Sequence, residues 1–141
     1  MAVVAKVNAA SVPRSERILG RANCLATDDV GDCVRITGTK VGNRFQVTKV
    51  DPANSGEDQA VGIIVRKDDP TNCIVQFHGP MRGVYTGLTP GKRYWVGSDS
   101  RLTLTIGTPA VGGIFYLQFM GVATDDQEVL VDPHVPTKRR G

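Results

Sequence analysis

The residue types that do chemistry are few in this chain and poorly spaced for it. Asp28, Asp29 and Asp32 surround Gly31 and raise the possibility of a cation loop. A calcium loop of the EF-hand kind needs oxygen ligands at alternate positions, a central glycine and a distal glutamate, and that order is not met. The cluster therefore reads as a solvated turn, as does Asp125-Asp126. Cys24, Cys33 and Cys73, with His78 and His134, contain no CxxC and no HxxxH pair to nucleate a zinc site, so no metal or other cofactor is expected. The odd number and wide spacing of the cysteines also argue against a disulfide framework, which leaves reduced thiols packed as small hydrophobes. A hydrolytic triad needs a nucleophile at a strained turn or beside a base. Here there is no GxSxG, His78 falls at a strand end, and His134 lies in a proline-flanked tail. Glu16, Glu57 and Glu128 offer no paired carboxylates for glycoside cleavage, and the glycines of residues 107–113 have neither a lysine nor a following helix with which to cradle phosphate. The chain reads as a non-enzyme with no catalytic residues.

The elements around these residues are short and β-like. A chain of 141 residues is one domain of ordinary size, and 16 glycines and 8 prolines against one tryptophan imply many turns and few bulky anchors. No apolar run approaches the roughly 20 residues of a membrane helix, and the first residues lack a basic region before an apolar one, so a soluble protein made in the cytosol is expected. The clearest stretch is residues 85–104. Pro90-Gly91 marks a turn, and residues 93–96 and 101–105 form a hairpin through the polar loop 97–100. Alternation puts Val34 with Ile36, Phe45 with Val47, and Cys73 with Val75 and Phe77, while Gln76 and His78 share the opposite face. Residues 60–66 are continuously apolar and predict a strand covered on both faces. Gly79-Pro80 ends the strand at 73–78, a short strand follows at 83–86, residues 114–123 form the longest strand at the centre of the sheet, and 128–131 form the last. Nine such strands predict an all-β fold: a small β-barrel or sandwich, β-tulip-like, with an extended N-terminal arm and little helix.

Charge divides the chain into three. Lys6, Arg14, Arg17 and Arg21 against Glu16 give residues 1–21 a net +3, and Lys138, Arg139 and Arg140 give the C-terminus +3. The whole chain is +3, so the part between carries −3. This predicts an N-terminal arm over 1–21, a β-barrel domain over 22–132 and a basic, extended C-terminal tail over 133–141, read first as solubilising, with contact to nucleic acid or to an acidic protein surface as the alternatives. A nucleic-acid groove on the body is not indicated. The arm's Val3, Val4, Val7, Val12, Ile18 and Leu19 are unusual for a free tail and point to docking on a neighbour.

Several of these stretches together follow a known pattern. Gly62-Ile63-Ile64, Gly83-Val84-Tyr85, Gly87 to Gly91, Tyr94-Trp95-Val96-Gly97, Arg101-Leu102-Thr103 and residues 116–123 resemble small virion proteins of tailed bacteriophages. These are the capsid decoration (cement) proteins and related β-domains of tail structures. The resemblance covers roughly residues 60–131, and Ser100 stands where the pattern commonly has glycine. It implies a structural virion protein that binds the outer surface of a capsid lattice and stabilises the expanded head, located on the virion after assembly in the host cytoplasm. It also implies a homotrimer whose partner is the major capsid protein, with no membrane and no direct nucleic acid. The capsid-contact candidates are then Val3, Val4, Val7, Val12, Arg14, Arg17, Ile18 and Leu19 of the arm. Two rivals are a tail or baseplate component and a receptor- or carbohydrate-binding module. The latter needs an exposed aromatic platform, and Tyr94 and Trp95 point to opposite faces, so only one of them can serve.

Overall fold

The computed structural model describes residues 16–53 and 59–141, and among them there is no helix. Eleven strands follow one another: β1 Ile18–Asn23, β2 Cys33–Val41, β3 Arg44–Lys49, β4 Gly62–Asp69, β5 Asn72–Arg82, β6 Arg93–Val96, β7 Leu102–Thr103, β8 Ile114–Leu117, β9 Phe119–Asp125, β10 Glu128–Val131 and β11 Thr137–Arg140. The first five close a small barrel in the order β1-β3-β2-β4-β5, because β1 pairs antiparallel with β5 and parallel with β3 at Ala22 and Asn23. Closure pairs the edge strands of the barrel where β1 meets β3, at Ala22 and Asn23, and leaves the second edge of residues 18–21 without a described partner strand. The fold is therefore all-β, as its alternating pattern and turn residues require.

β5 is the strand that joins barrel to outer sheet. Its first half pairs with β1 and β4, and its second half, Gly79 to Arg82, pairs with β10, from which the sheet continues through β9, β6 and β7. The changeover lies at Gly79-Pro80, where the sequence pattern predicted the strand to end. It bends instead of ending. Gly79 has φ 98°, a region that favours glycine, and a side chain there would also strike the Glu16 carbonyl. Gln76, buried at 1% exposure, fixes the bend by directing its amide nitrogen at the His78, Gly79 and Pro80 carbonyls, 3.2, 2.9 and 2.9 Å away.

Two apolar cores result. Ala22, Cys24, Val34, Val47, Ile64, Cys73 and Val75 fill the barrel with Phe45 and Phe77 against them. Cys33, Ile63, Met81, Tyr94, Val96, Met120 and Val129 fill the space between barrel and outer sheet. Neighbouring residues on β2 (Cys33, Val34) and on β4 (Ile63, Ile64) point into different cores, which is why residues 60–65 read as apolar throughout. Val47 and Phe45 share the barrel core as alternation required, but Ile36 is 41% exposed because β2 runs past the barrel there with only β3 beside it.

Four further expectations need correction. Residues 18–21, assigned to the arm, belong to β1 of the barrel, so the body begins earlier than residue 22. Residues 83–86 form no strand; Gly83 donates instead to the Gln127 carbonyl at 3.0 Å and the chain bends. Residues 114–123 split into β8 and β9 at Gln118, whose buried side chain bonds the Ala60 N–H and carbonyl at 2.9 and 2.8 Å and the His134 carbonyl at 2.8 Å. Only β9 lies in the main sheet, between β10 and β6, while β8 pairs with β11 in a separate two-stranded sheet. The C-terminal segment is therefore not a free tail: Lys138 and Arg139 stand opposite Tyr116 and Phe115.

Candidate partner-binding surface

The residues that sequence reasoning singled out for contact fall into two sets. Val3, Val4, Val7, Val12 and Arg14 lie outside the described residues. Arg17 immediately precedes β1, and Ile18 and Leu19 open it, exposed at 55% and 43%. Pairing with β5 alternates the side chains of β1, and Gly20 faces inward because a side chain there would strike the Phe77 and Phe45 rings. Leu19 and Arg21 consequently share the outer face.

On that face the structure gathers residues from distant parts of the sequence. Two adjoining depressions of about 240 and 300 Å3 share Leu19, Arg66 and Ile74. Val65, Met81 and Val84 extend the apolar floor, and Arg17, Arg21, Arg66 and Arg82 surround it. Arg82 is ion-paired with Asp125 at 2.6 Å, and this hydrogen bond holds the Asp125 carboxyl below the usual carboxylate range. Arg66 pairs with exposed Asp68 at 2.9 Å. Arg17 and Arg21 make no ion pair with any described residue. Aliphatic stems lying along apolar surface with their charged heads in water are a binding arrangement suited to a partner that carries both apolar and acidic groups. The backbone is also unfinished here: β3 pairs with β1 only at Ala22 and Asn23, so among the described strands none covers the second edge of residues 18–21.

Two of the residues first considered for chemistry, Asp28 and Asp32, hold loops. Asp28 and Asp32 are buried at 0% and 4% exposure, contrary to the solvated turn expected. Asp28 accepts hydrogen bonds from the Leu25 N–H at 2.8 Å, the Thr48 hydroxyl at 3.0 Å and the Lys49 N–H at 3.2 Å. Its carboxylate thus ties the loop 24–32 to β3. Asp32 accepts from the Asp29 N–H at 2.8 Å, and burial pushes its carboxyl above the usual range. The β6–β7 hairpin docks on this loop. Tyr85 donates to the Gly31 carbonyl and accepts from the Leu102 N–H at 3.0 Å, while Arg101 lies over the Tyr85 ring and donates to the Val30 carbonyl at 3.0 Å. Ser100, at the glycine position of the pattern, has φ 69° and donates its hydroxyl to the Val50 carbonyl. The three cysteines are buried thiols, and burial pushes Cys73 up to about 12, against its acting as a nucleophile. His78 and His134 approach Asp132 at 3.9 and 3.1 Å, and no group of three metal-ligating side chains occurs among the described residues.

Sequence reasoning missed Arg21, Arg66, Arg82 and Ile74 as members of one surface. The signal for Arg21 was present in its two-residue spacing from Leu19, but the others meet only through the pairing of β1, β5 and β4. No protein-family model, curated protein or solved structure matches the chain.

Proposed function

We propose that this protein is a structural component of a tailed-phage virion that binds the outer surface of the capsid lattice and stabilises the expanded head. The observation that carries the reading is the arginine-rimmed apolar trough at β1, formed by Leu19, Ile74 and Val65 with Arg17, Arg21 and Arg66. Added support comes from the sequence pattern of residues 60–131 and from the use of Asp28 and Asp32, the buried acidic groups among the described residues, for holding loops. In this reading the arm and the trough bind neighbouring major capsid protein subunits, and the open edge of residues 18–21 accepts a strand of the partner. Binding only the expanded lattice stabilises it by mass action, and a homotrimer at three-fold positions makes modest contacts act together. The protein performs no catalysis, takes no cofactor, contacts neither membrane nor nucleic acid directly, and resides on the capsid surface.

The test is co-sedimentation with expanded heads that lack the protein. The full chain is expected to bind in hundreds of copies, as a lattice position requires, and a form without residues 1–15 is expected to stay folded and fail to bind. Recovery of the full chain only with tails, or full binding by the shortened form, rejects the reading. Light scattering of the pure protein reads the trimer.

A further inference from the structure

A separate depression, of about 320 Å3, lies on the outer face of β6 and β9 and is closed on one side by the strap of residues 132–136 that leads into β11. Its walls are aromatic. The Trp95 and Phe119 rings meet edge to face at 5.7 Å, Phe119 and His134 do so at 4.6 Å, and the Arg93 guanidinium stands over the Phe119 ring at 5.8 Å. His134 is fixed by its N–H to the Phe119 carbonyl at 3.0 Å and by Asp132 on its ring at 3.1 Å, so the Asp132 charge is engaged with imidazole. Arg93 is exposed and makes no ion pair with any described residue. The barrel and hairpin cores do not use this cluster, and the capsid reading does not need it.

We propose that this depression binds a carboxylated sugar, such as a uronic-acid residue of an acidic polysaccharide. Three features select that class. The half-buried indole offers a flat apolar face to the C–H face of a pyranose ring, Phe119 packs against it edge to face, and alternation along β6 leaves Trp95 outward while Tyr94 is buried at 5%. The free guanidinium of Arg93 presents paired donors to one carboxylate, and Lys138, Arg139 and Arg140, which follow on Thr137 at the rim, add positive field. The site is also open, at the lower end of the roughly 300–1,000 Å3 of small-molecule sites, with the Thr137 hydroxyl and His134 at its margin. An alkyl chain would stay half in water there, whereas a sugar keeps its hydroxyl edge solvated.

Trp95 is the only tryptophan in the chain, so its fluorescence reports this site alone. The full chain is titrated with oligogalacturonate, with its methyl ester as the uncharged match and with hexanoate as the carboxylate without a ring. The expected result is a saturable change with oligogalacturonate, at least tenfold weaker with the ester and with hexanoate, and at least tenfold weaker in Arg93→Gln. His134→Ala, which keeps the reporter and the cation, is expected to weaken binding as well. No saturable change up to the solubility of oligogalacturonate overturns the proposal. Equal binding of ester and acid, equal binding of hexanoate, or an unaltered Arg93→Gln variant also overturns it.

Discussion

Where the β6–β7 hairpin meets the barrel, Arg101 is held three ways: it lies 5.0 Å from the Tyr85 ring centre, donates to the Val30 carbonyl at 3.0 Å and stands 3.9 Å from Asp32. At the β1 trough, Arg17 and Arg21 have no acidic partner among the described residues and lie beside Leu19 and Ile74. Both regions combine arginine with apolar surface. In the first the acidic and carbonyl partners come from the same chain, so the contact specifies the fold. In the second no described residue supplies an acidic partner for Arg17 or Arg21, and in the proposed reading the capsid partner does so. Partnering, more than composition, separates a structural surface from a binding one.

That contrast is broken most strongly at Asp28. Replacing it with Ala leaves the Leu25 and Lys49 N–H groups and the Thr48 hydroxyl without their acceptor, and a loss of roughly 2–4 kcal/mol is expected in a urea titration. Ser100→Ala follows, at about 1–2 kcal/mol, because the Val50 carbonyl loses its donor while the positive φ remains. Ser100→Gly is expected to cost less than Ser100→Ala, since glycine adopts φ 69° without penalty. A larger loss for glycine would refute the strain account.

Asp32 gives a smaller effect, visible as a slope. Its carboxyl is raised mainly by burial, partly offset by the Asp29 N–H, so the native state holds this proton more tightly than the unfolded chain does. Its contribution to stability is therefore greatest at low pH. It declines as pH rises from the unfolded value of about 3.9 to the raised native value, and is constant above. Asp32→Asn is expected to remove that slope from a series of urea midpoints across acidic pH, and an unchanged slope counts against it. Smallest of all, Arg17→Ala with Arg21→Ala should leave stability within about 0.5 kcal/mol of the natural protein. A clear loss would make the trough part of the fold.

Much of the architecture was legible because period-two patterns are local. Cys73, Val75 and Phe77, or Phe45 and Val47, declare a face within a few residues, and Pro90-Gly91 with the loop 97–100 declares a hairpin. What stayed hidden depends on long-range polar contacts. The burial of Asp28 needs Thr48 and Lys49 from another strand, the bend at Gly79 needs the Gln76 amide, and the break at Gln118 needs the backbone of Ala60. The same limit applies to the candidate site. Leu19 announced itself as an apolar residue among charges, whereas Arg66, Ile74 and Arg82 join it only once β4 and β5 are paired beside β1. The aromatic depression was foreshadowed by the opposite directions of Tyr94 and Trp95, but Phe119 and His134 reach it through folding alone.

The central claim is that the β1 trough is a surface for the capsid partner, and it is tested most directly by exchanging Arg17, Leu19 and Arg21 together for Ser. Binding to expanded heads lacking the protein is then measured by co-sedimentation, alongside urea stability. The account predicts a variant as stable as the natural protein to within about 1 kcal/mol whose affinity for heads falls at least tenfold. Undiminished binding by a stably folded variant would contradict it.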